Sequence, residues 1–470
     1  MPKTGVRALT LALTLALAGP LFGGAIEDAI LARLDDTSAS TDVVGRLTDA
    51  IGPRLTGSSA LLAAHRFAAE RFRAAGIEAV LEPFPLAHSW ERGPARGELL
   101  TPYRHELQLA QVGWTPGTAG PVSGPIRVFA PKAKADLEAY RGKLKDAVVL
   151  MGEPATDLEP LMMVLPLRLD PKGAVPPAKG EALSLSEKVA YLRAEGARAF
   201  LADAGKPSGL LDMSGHYEIV LAGAEGLPGA FVIHEQYRLL RRLAENGATV
   251  RLHLEGRTGP AAECVNTVAS IRGAERPGET VLVGAHLDSW DLGTGATDNA
   301  AGAAAVIEAA RLLAAANARP RRTIRFVLFS GEEQGLLGSK AYVERHRAEL
   351  PLHSAVFIID TGSGRIDGLA LQGRAEVEGV MRRVLEPVVP LGVVDTDLRL
   401  EWGSDHLPFD EAGVPAFCFE QVQHDYSRNH HSEADTSDKI KPQELQQAAV
   451  VLALTAYRTA ELGDLLPRRR

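Results

Sequence analysis

Residues 280–289 read TVLVGAHLDS, an apolar run that ends in a histidine and an aspartate. A short continuous apolar run is typical of a strand that is buried on both faces of a sheet. Runs of the same kind alternate with helical patterns in the second half of the chain, the runs at 265–271, 323–330, 354–359 and 414–419 and the helical patterns at 300–316, 339–347, 376–385 and 442–462. This alternation predicts an α/β fold in which a mixed, mostly parallel sheet lies between helices.

Acidic and histidine side chains follow the ends of these predicted strands. In a sheet of this class, ligands bind beyond the carboxyl ends of the strands. Asp, Glu and His without Cys are ligands that suit a divalent ion such as Zn²⁺. Each residue alone has a common structural explanation, for example Asp298 as the N-cap of a helix. Because several strand ends carry such residues at one edge, the sequence predicts a metal site there, with the candidates His286, Asp288, Asp298, Glu332, Glu333, Asp360, His430 and His431.

The composition is that of an acidic, cysteine-poor globular chain. Of the 470 residues, 46% are hydrophobic and 23% are charged, which excludes a largely disordered or fibrous protein. The net charge of −8 disfavours a nucleic-acid-binding protein, which usually carries a basic surplus. Two cysteines are too few for a disulfide scaffold. Cys264 and Cys418 either pair after export or remain buried free thiols, and the sequence leaves both possibilities open.

The first 25 residues have the pattern of a secretory signal. Lys3 and Arg7 precede an apolar run at 8–18, and small residues follow at 23–25. The run is too short to span a bilayer. We therefore predict a secreted or periplasmic protein that has no membrane anchor once the signal is removed. A buried N-terminal helix is the alternative.

The length of the chain predicts more than one domain. Residues 27–85 read as helical, with helical spacing at 41–50 and 61–75. Pro and Gly become frequent after residue 111, where short β-like runs and helices predict a separate α/β module. The predicted division is a signal at 1–25, a first part of the catalytic domain at 26–110, an inserted module at 111–257 and a second part of the catalytic domain at 258–470.

At its candidate site the chain resembles the co-catalytic zinc exopeptidases, a family that includes secreted bacterial leucyl aminopeptidases, glutamate carboxypeptidase II and glutaminyl cyclase. The matching motifs are HLDSWD at 286–291, TDNAAG at 297–302, GEEQG at 331–335, HHS at 430–432 and DT at 435–436. Segments outside the site resemble the carboxypeptidase Q type, at 52–58, 88–93, 265–269 and 412–415. The inserted module resembles the protease-associated domain of many members, at 142–150 and 194–200.

The resemblance implies a ligand set for two Zn²⁺ ions. His286 and Asp360 would hold one ion, Glu333 and His431 would hold the other, and Asp298 would bridge both. Two Zn²⁺ ions, three carboxylates and one hydroxide sum to zero charge, and a neutral cluster is easier to bury than an unbalanced one.

The resemblance also implies roles for residues around the ions. Glu332 corresponds to the general base, which takes a proton from the attacking water and passes it to the leaving amine. Asp288 would accept the second N–H of His286 and fix its tautomer. The donor that steadies the oxyanion is open between His430 and Tyr426. Asp405 lies in a segment that is similar to one near the substrate pocket of family members.

The implied function is that of an exported two-zinc exopeptidase, which cleaves dipeptides or short peptides with a free N-terminus. Its partner would be the peptide substrate, and the resemblance suggests a homodimer. One alternative is a glutaminyl cyclase-like enzyme, which would bind a single zinc ion. Another is a non-catalytic peptide-binding relative, which would be expected to lack ligands. The preferred side chain, and the choice between dipeptidase and aminopeptidase activity, stay open.

Overall fold

The computed structural model describes residues 24–156, 183–214 and 226–469. The predicted signal segment lies outside these residues except for its last two, and the first helix begins at Ala25. Within the described ranges, no helix is long and apolar enough to cross a membrane. The helices are α1 (Ala25–Leu31), α2 (Ser38–Gly45), α3 (Ser59–Ala74), α4 (Leu185–Ala194), α5 (His234–Ala244), α6 (Ala301–Ala315), α7 (Leu337–Arg345), α8 (Ala375–Leu385), α9 (Leu407–Glu411), α10 (Tyr426–Asn429) and α11 (Pro442–Ala460).

The strands form two large sheets and one small ribbon in the described part of the chain. They are β1 (Glu78–Leu86), β2 (Trp90–Glu91), β3 (Ala95–Thr101), β4 (His105–Leu107), β5 (Leu109–Gln111), β6 (Val122–Phe129), β7 (Val148–Met151), β8 (Ala199–Asp203), β9 (Gly229–Val232), β10 (Thr249–Leu254), β11 (Arg257–Thr258), β12 (Ala262–Ile271), β13 (Arg276–His286), β14 (Arg322–Phe329), β15 (His353–Ile359), β16 (Ile366–Ala370), β17 (Asp395–Asp397) and β18 (Ala416–Gln421).

The first sheet carries the candidate site. Its strand order is β1-β12-β14-β13-β15-β18-β16-β17. The four neighbours β14, β13, β15 and β18 run parallel, whereas β1, β12 and β16 contribute antiparallel pairs. The predicted mixed, mostly parallel sheet is therefore confirmed, and α6, α7, α8 and α11 form where helical patterns predicted them.

The apolar run that begins at residue 280 is explained by burial on both faces of β13. Val281 and Val283 belong to the hydrophobic cluster that contains residues of α6 and α11. Leu282, which points to the opposite face, packs in the cluster of Tyr342 and Phe409. Because neither face meets water, no position in this strand requires a polar residue.

One part of the N-terminal section differs from its prediction. Helices α2 and α3 lie within the section that was expected to be helical, but residues 78–86 form strand β1 instead. This strand pairs antiparallel with β12 at the edge of the first sheet. Pro83 and Pro85 cannot donate a backbone hydrogen bond, and an edge strand tolerates them because one of its sides needs no partner. The pairing with β12 is a long-range contact that local patterns do not reveal.

The second sheet has the order β4-β3-β10-β6-β7-β8-β9-β5, with β6 to β9 parallel. Helix α5 packs beside it, since Tyr237 and Leu240 share a cluster with strand residues such as Leu201. The sheet begins at Ala95, whereas the sequence analysis assigned residues up to 110 to the first part of the catalytic domain. The reason is that β3 pairs with β10, which lies about 150 residues later in the chain.

Both cysteines are free and buried. Cys264 lies on β12 and Cys418 on β18, four strand positions apart in the same sheet. Four spacings of about 4.8 Å separate them by roughly 19 Å, and a disulfide requires Cα atoms within about 7 Å. Burial raises the pKa of the Cys264 thiol to about 12 and that of Cys418 well above its usual range. Of the two possibilities that the sequence left open, the structure has the buried free thiols.

Candidate metal centre

The carboxyl ends of three neighbouring parallel strands meet at one edge of the first sheet. β13 lies between β14 and β15, and His286 is its last residue. Asp360 follows β15 directly, and Glu332 and Glu333 follow β14. Gly331, between β14 and the two glutamates, has a φ of 72°, a left-handed conformation that side chains disfavour and that turns the chain sharply. The strand register thus brings one imidazole and three carboxylates together.

Asp298 lies on the turn that leads from β13 to α6. The residues of this turn are buried, and Asp298 and Asn299 depart from helical backbone angles. Asp298 Oδ1 lies 3.1 Å from His286 Nε2, and its Oδ2 lies 3.3 Å from His431 Nε2. One carboxylate therefore faces two imidazoles, one through each oxygen, as the predicted bridging role requires.

A second carboxylate accompanies each imidazole. Asp360 Oδ1 lies 2.9 Å from His286 Nε2. Glu333 Oε2 lies 2.9 Å from His431 Nε2. The five predicted ligands are thus two similar histidine–carboxylate pairs that Asp298 joins.

The donor atoms of these residues have the spacing and chemistry of a zinc site. Ligand atoms at about 2.0–2.1 Å from a tetrahedral zinc ion lie about 3.3 Å from one another, and the four distances above are 2.9–3.3 Å. His286, Asp298 and Glu333 each offer one donor atom within 4.8 Å of the others. Glu333 Oε1 is buried without a hydrogen-bond partner. Because a buried carboxylate oxygen without a partner is costly, the residues present fit a bound cation.

The buried charges at the site act strongly on one another. Burial raises the pKa of Asp360 and brings that of Glu333 to about 7. Burial opposes the charged form of His286 and His431 too, but the facing carboxylates outweigh it and hold both pKa values well above the usual range. Hydrogen bonds from these two imidazoles keep the pKa of Asp298 well below its usual range despite its burial. Each carboxylate therefore depends on positive charge beside it.

Two side chains position the ligands from behind. Asp435 accepts from Thr297 N–H at 2.6 Å, from the Thr297 hydroxyl at 2.8 Å and from Asp298 N–H at 3.1 Å. Asn299 Nδ2 donates to Asp360 Oδ1 at 2.9 Å. The sequence analysis assigned neither role. The available signals were the place of Asp435 in a matched motif and the position of Asn299 directly after Asp298.

Arg54 fixes the loop that follows β13. It is fully buried, and its guanidinium donates to Leu287 O at 2.7 Å, Thr294 O at 2.8 Å and Gly295 O at 2.7 Å. Burial lowers its pKa to about 10, so that the side chain stays charged at neutral pH. Sequence reasoning found only that its segment resembles family members. A chain separation of more than 230 residues hid the contact.

The Asp288 carboxylate lies closer to the backbone of the turn after β14 than to the His286 ring. The His286 Nδ1 atom lies 3.0 Å from the main-chain carbonyl of Asp288 and 3.7 Å from its carboxylate. The carboxylate accepts from the Thr56 hydroxyl at 2.9 Å and from the N–H groups of Glu332 and Glu333 at 3.4 and 3.3 Å. The predicted support of His286 thus comes from the carbonyl oxygen, and the carboxylate holds the two glutamates.

A cavity of about 430 Å³ opens on the site. Glu332 lines it, with one oxygen within 4.8 Å of donor atoms of His286 and Asp360. Burial raises the pKa of Glu332 well above its usual range, and the neighbouring carboxylates add to this effect. A carboxyl group with a raised pKa is suited to taking up a proton near neutral pH.

The residues proposed for oxyanion or substrate contacts occupy different positions. His430 stacks on His431 with 3.6 Å between ring centroids, and its Nε2 lies 3.6 Å from Asp298 Oδ2. Burial lowers the pKa of His430 to about 3, so its ring is neutral. Tyr426 lines the cavity. Asp405 is fully buried and hydrogen-bonded to Ser339, and the adjacent Ser404 lines the cavity instead.

The segment between β8 and β9 of the second sheet contacts the loop that carries His431. Met213 N–H donates to His431 O at 2.6 Å, and Leu211 N–H donates to a Glu433 carboxylate oxygen at 3.0 Å. His431 has a φ of 53°, in the left-handed region that residues other than glycine rarely adopt. A residue from the segment between β8 and β9 thus contacts the backbone of a candidate ligand.

Comparison with known proteins finds relatives of this chain in sequence and in structure. Residues 266–456 match the sequence profile of peptidase family M28. Carboxypeptidase Q of Mus musculus is 32% identical over 436 residues, which cover 91% of this chain and 87% of that protein. A peptidase M28 precursor from Shewanella amazonensis has a solved structure with a TM-score of 0.79 and 28% identity, covering 95% of this chain and 98% of that chain. A zinc aminopeptidase from Bacillus subtilis shares the fold, with a TM-score of 0.65, 21% identity and coverage of 90% and 94%.

Proposed function

This chain belongs to peptidase family M28, and from that premise we propose that it hydrolyses dipeptides or short peptides with a free N-terminus by means of two zinc ions. The chain is a zinc metallo-exopeptidase, and its substrates are peptides. The proposal adds the number of ions, the residues that hold them and the size of the substrate.

The observation that carries the proposal is the position of Asp298 between two similar histidine–carboxylate pairs, 3.1 Å from one imidazole and 3.3 Å from the other. We assign His286 and Asp360 to one ion, Glu333 and His431 to the other, and Asp298 to both. When bound at such a site, zinc polarises the scissile carbonyl and lowers the pKa of the attacking water.

Glu332 is the proton carrier in this proposal. Its side chain lines the cavity beside the first pair, and its raised pKa lets it accept a proton at neutral pH. It takes the proton of the attacking water and delivers it to the leaving amine. Asp288 fixes the direction of Glu332, because its carboxylate accepts the N–H groups of Glu332 and Glu333.

The size of the cavity and the relatives support a small substrate. About 430 Å³ lies within the range of small-molecule sites and has room for two amino-acid residues. Relatives are described as a carboxypeptidase, in Mus musculus, and as an aminopeptidase, in Bacillus subtilis. A dipeptide satisfies both descriptions, because its single peptide bond adjoins both termini.

Metal analysis combined with dipeptide hydrolysis tests the proposal. We expect two equivalents of zinc per chain, hydrolysis that a chelator abolishes, and recovery when zinc is added back. Glu332→Gln should keep both equivalents and lower kcat by a factor of roughly 10²–10⁴. Glu344→Gln, an exposed glutamate on α7, is the control and should leave both measurements unchanged.

Two results would contradict the proposal. Full activity of the Glu332→Gln variant would remove the base from its role. A single zinc equivalent, together with cyclisation of N-terminal glutamine instead of hydrolysis, would favour a glutaminyl cyclase-like enzyme.

We also infer export, and the support for it is the signal pattern of the first 25 residues. The location would be the periplasm or the medium. The N-terminus of the protein isolated from cells should begin near residue 26, and an intact Met1 on the active enzyme would refute the inference.

A further inference from the structure

Residues 401–404 line the same cavity as the candidate metal ligands. Two of them differ sharply in exposure. Glu401 is 4% exposed, whereas Trp402 is 57% exposed. A buried carboxylate and an exposed indole are therefore neighbours on the wall of the substrate cavity.

The carboxylates around Glu401 outnumber their cationic partners. Arg399 donates to Asp397 at 2.9 Å, lies 2.8 Å from Asp395 and also pairs with Glu420. One guanidinium thus serves three carboxylates. In the described part of the chain, no Lys or Arg side chain forms an ion pair with Glu401, and Glu420 has only Arg399.

Glu401 and Glu420 are two buried carboxyl groups near each other. The Oε1 atom of each is buried without a hydrogen-bond partner. Burial raises the pKa of Glu401 to about 7 and that of Glu420 to about 8. Because a buried carboxylate oxygen without a partner is costly, Glu401 is suited to accept a cationic group from a bound molecule.

We propose that Glu401 and Trp402 bind a cationic side chain of the substrate, that of a lysine or arginine residue next to the scissile bond. The inference rests on the proposed function and adds a class of substrate to it. The ammonium or guanidinium group pairs with the Glu401 carboxylate. The apolar stem of the side chain lies on the exposed indole of Trp402, which also attracts the cation through its ring face.

Peptides that differ only in this charge test the proposal. Norleucine has an unbranched apolar side chain close to the lysine stem but lacks its ammonium group. The kcat/KM of Lys-Ala is compared with that of norleucine-Ala, and Ala-Lys with Ala-norleucine, at pH 8. At one of the two positions we expect the lysine peptide to be favoured roughly 10- to 100-fold, the size of a hydrogen bond to a charged group.

The variants separate the two contacts. Glu401→Gln should reduce this preference to near one by slowing the lysine peptide, with the norleucine peptide changed less than about threefold. Trp402→Ala should slow both peptides, because both stems lose the indole, and its exposed position makes it safe for folding. Glu411→Gln, an exposed glutamate on α9, should leave the preference intact.

The outcomes are distinct. Equal cleavage of lysine and norleucine peptides at both positions, or a preference that survives in Glu401→Gln, would overturn the inference and leave the proposed function standing. A zinc-loaded protein that cleaves none of the four peptides would instead refute the proposed function.

A measurement on the unaltered protein keeps the test valid if Glu401→Gln does not fold. The preference for lysine should rise from pH 6 to pH 8.5, because Glu401 and Glu420, whose pKa values burial raises to about 7 and about 8, lose their protons while the substrate ammonium, with a pKa of about 10.4, stays charged. Among the other groups near the pair, Arg399 stays charged, because its hydrogen bonds to Asp397 and Asp395 raise its pKa despite burial. The Cys418 thiol, whose pKa burial raises, and His406, whose pKa burial lowers to about 4, stay neutral. A preference that does not change with pH would contradict the inference.

Discussion

The two halves of the candidate metal site are similar in chemistry but are built in different ways. Each half is a histidine 2.9 Å from a carboxylate, with Asp298 between them. His286 ends β13 and Asp360 follows β15, so neighbouring strands hold the first half. Glu333 comes from a turn after β14, and His431 comes from a loop that the segment between β8 and β9 contacts.

The two halves therefore differ in the contacts that fix the positions of their ligands. In the first half, the hydrogen-bond register of β13 and β15 sets the distance between the ligands. In the second half, the backbone of His431 has a left-handed φ of 53° and accepts the N–H of Met213. The first half should therefore persist when the segment between β8 and β9 is disturbed, and the second half should not.

The largest expected effect comes from the residue that the halves share. Asp298→Asn keeps the shape of the side chain but removes the charge that faces both imidazoles. We expect loss of zinc from both halves and a fall in kcat/KM of about 10³ or more, because the metal supplies several kcal/mol of transition-state stabilisation. Metal analysis and dipeptide kinetics check this. Two tightly held zinc equivalents in the variant would show that Asp298 does not join the halves.

A change in the segment between β8 and β9 should affect one half only. Met213→Pro removes the N–H that His431 O accepts, and Met213→Ala, which keeps that N–H, controls for the lost side chain. Loss of such a supporting contact typically costs about 10- to 100-fold in metal affinity. Zinc titration should show one weakened and one unchanged affinity in the proline variant. Equal weakening of both sites, or the same result in the alanine variant, would refute the division into halves.

The same division explains how much the sequence could predict. His286, Glu332, Glu333 and Asp360 were predictable because each follows an apolar run along the chain, and parallel strands end at one edge. His431 follows no strand directly, so its place at this edge was not predictable from the strand pattern, and only the resemblance to a family motif assigned it to a metal ion.

The supporting contacts could not be predicted from local patterns. Arg54 bonds to a loop more than 230 residues away, and Asp435 accepts from a turn 138 residues before it. Strand β1 was wrongly read as part of a helical section, because only its pairing with β12 makes it a strand. Contacts between residues far apart in the chain determine the positions of Arg54, Asp435 and β1. Residue type and spacing describe only near neighbours.

The smallest expected effect concerns His65, which contacts the residue before the turn that carries Glu333. His65 is fully buried, with Nε2 2.6 Å from the hydroxyl of Ser330, the residue that follows β14, and Nδ1 2.8 Å from the hydroxyl of Thr267. Burial lowers the pKa of His65 to about 3. The folded protein therefore holds this ring neutral at any pH well above 3, whereas the unfolded chain binds a proton below about pH 6.5. The stability from this residue is present above pH 6.5 and is lost as the pH falls below it.

Between pH 7 and pH 5.5 this titration should cost about 1 kcal/mol of the free energy of unfolding. Urea titrations at both pH values measure it as a difference between the unaltered protein and His65→Gln, which lacks the titrating group. His88→Gln, at an exposed position, should behave as the unaltered protein does. If His65→Gln loses as much stability as the unaltered protein between the two pH values, the ring is not held neutral. The contact with a neutral His65 ring would then not explain how Ser330, at the start of the turn that carries Glu333, is held in place.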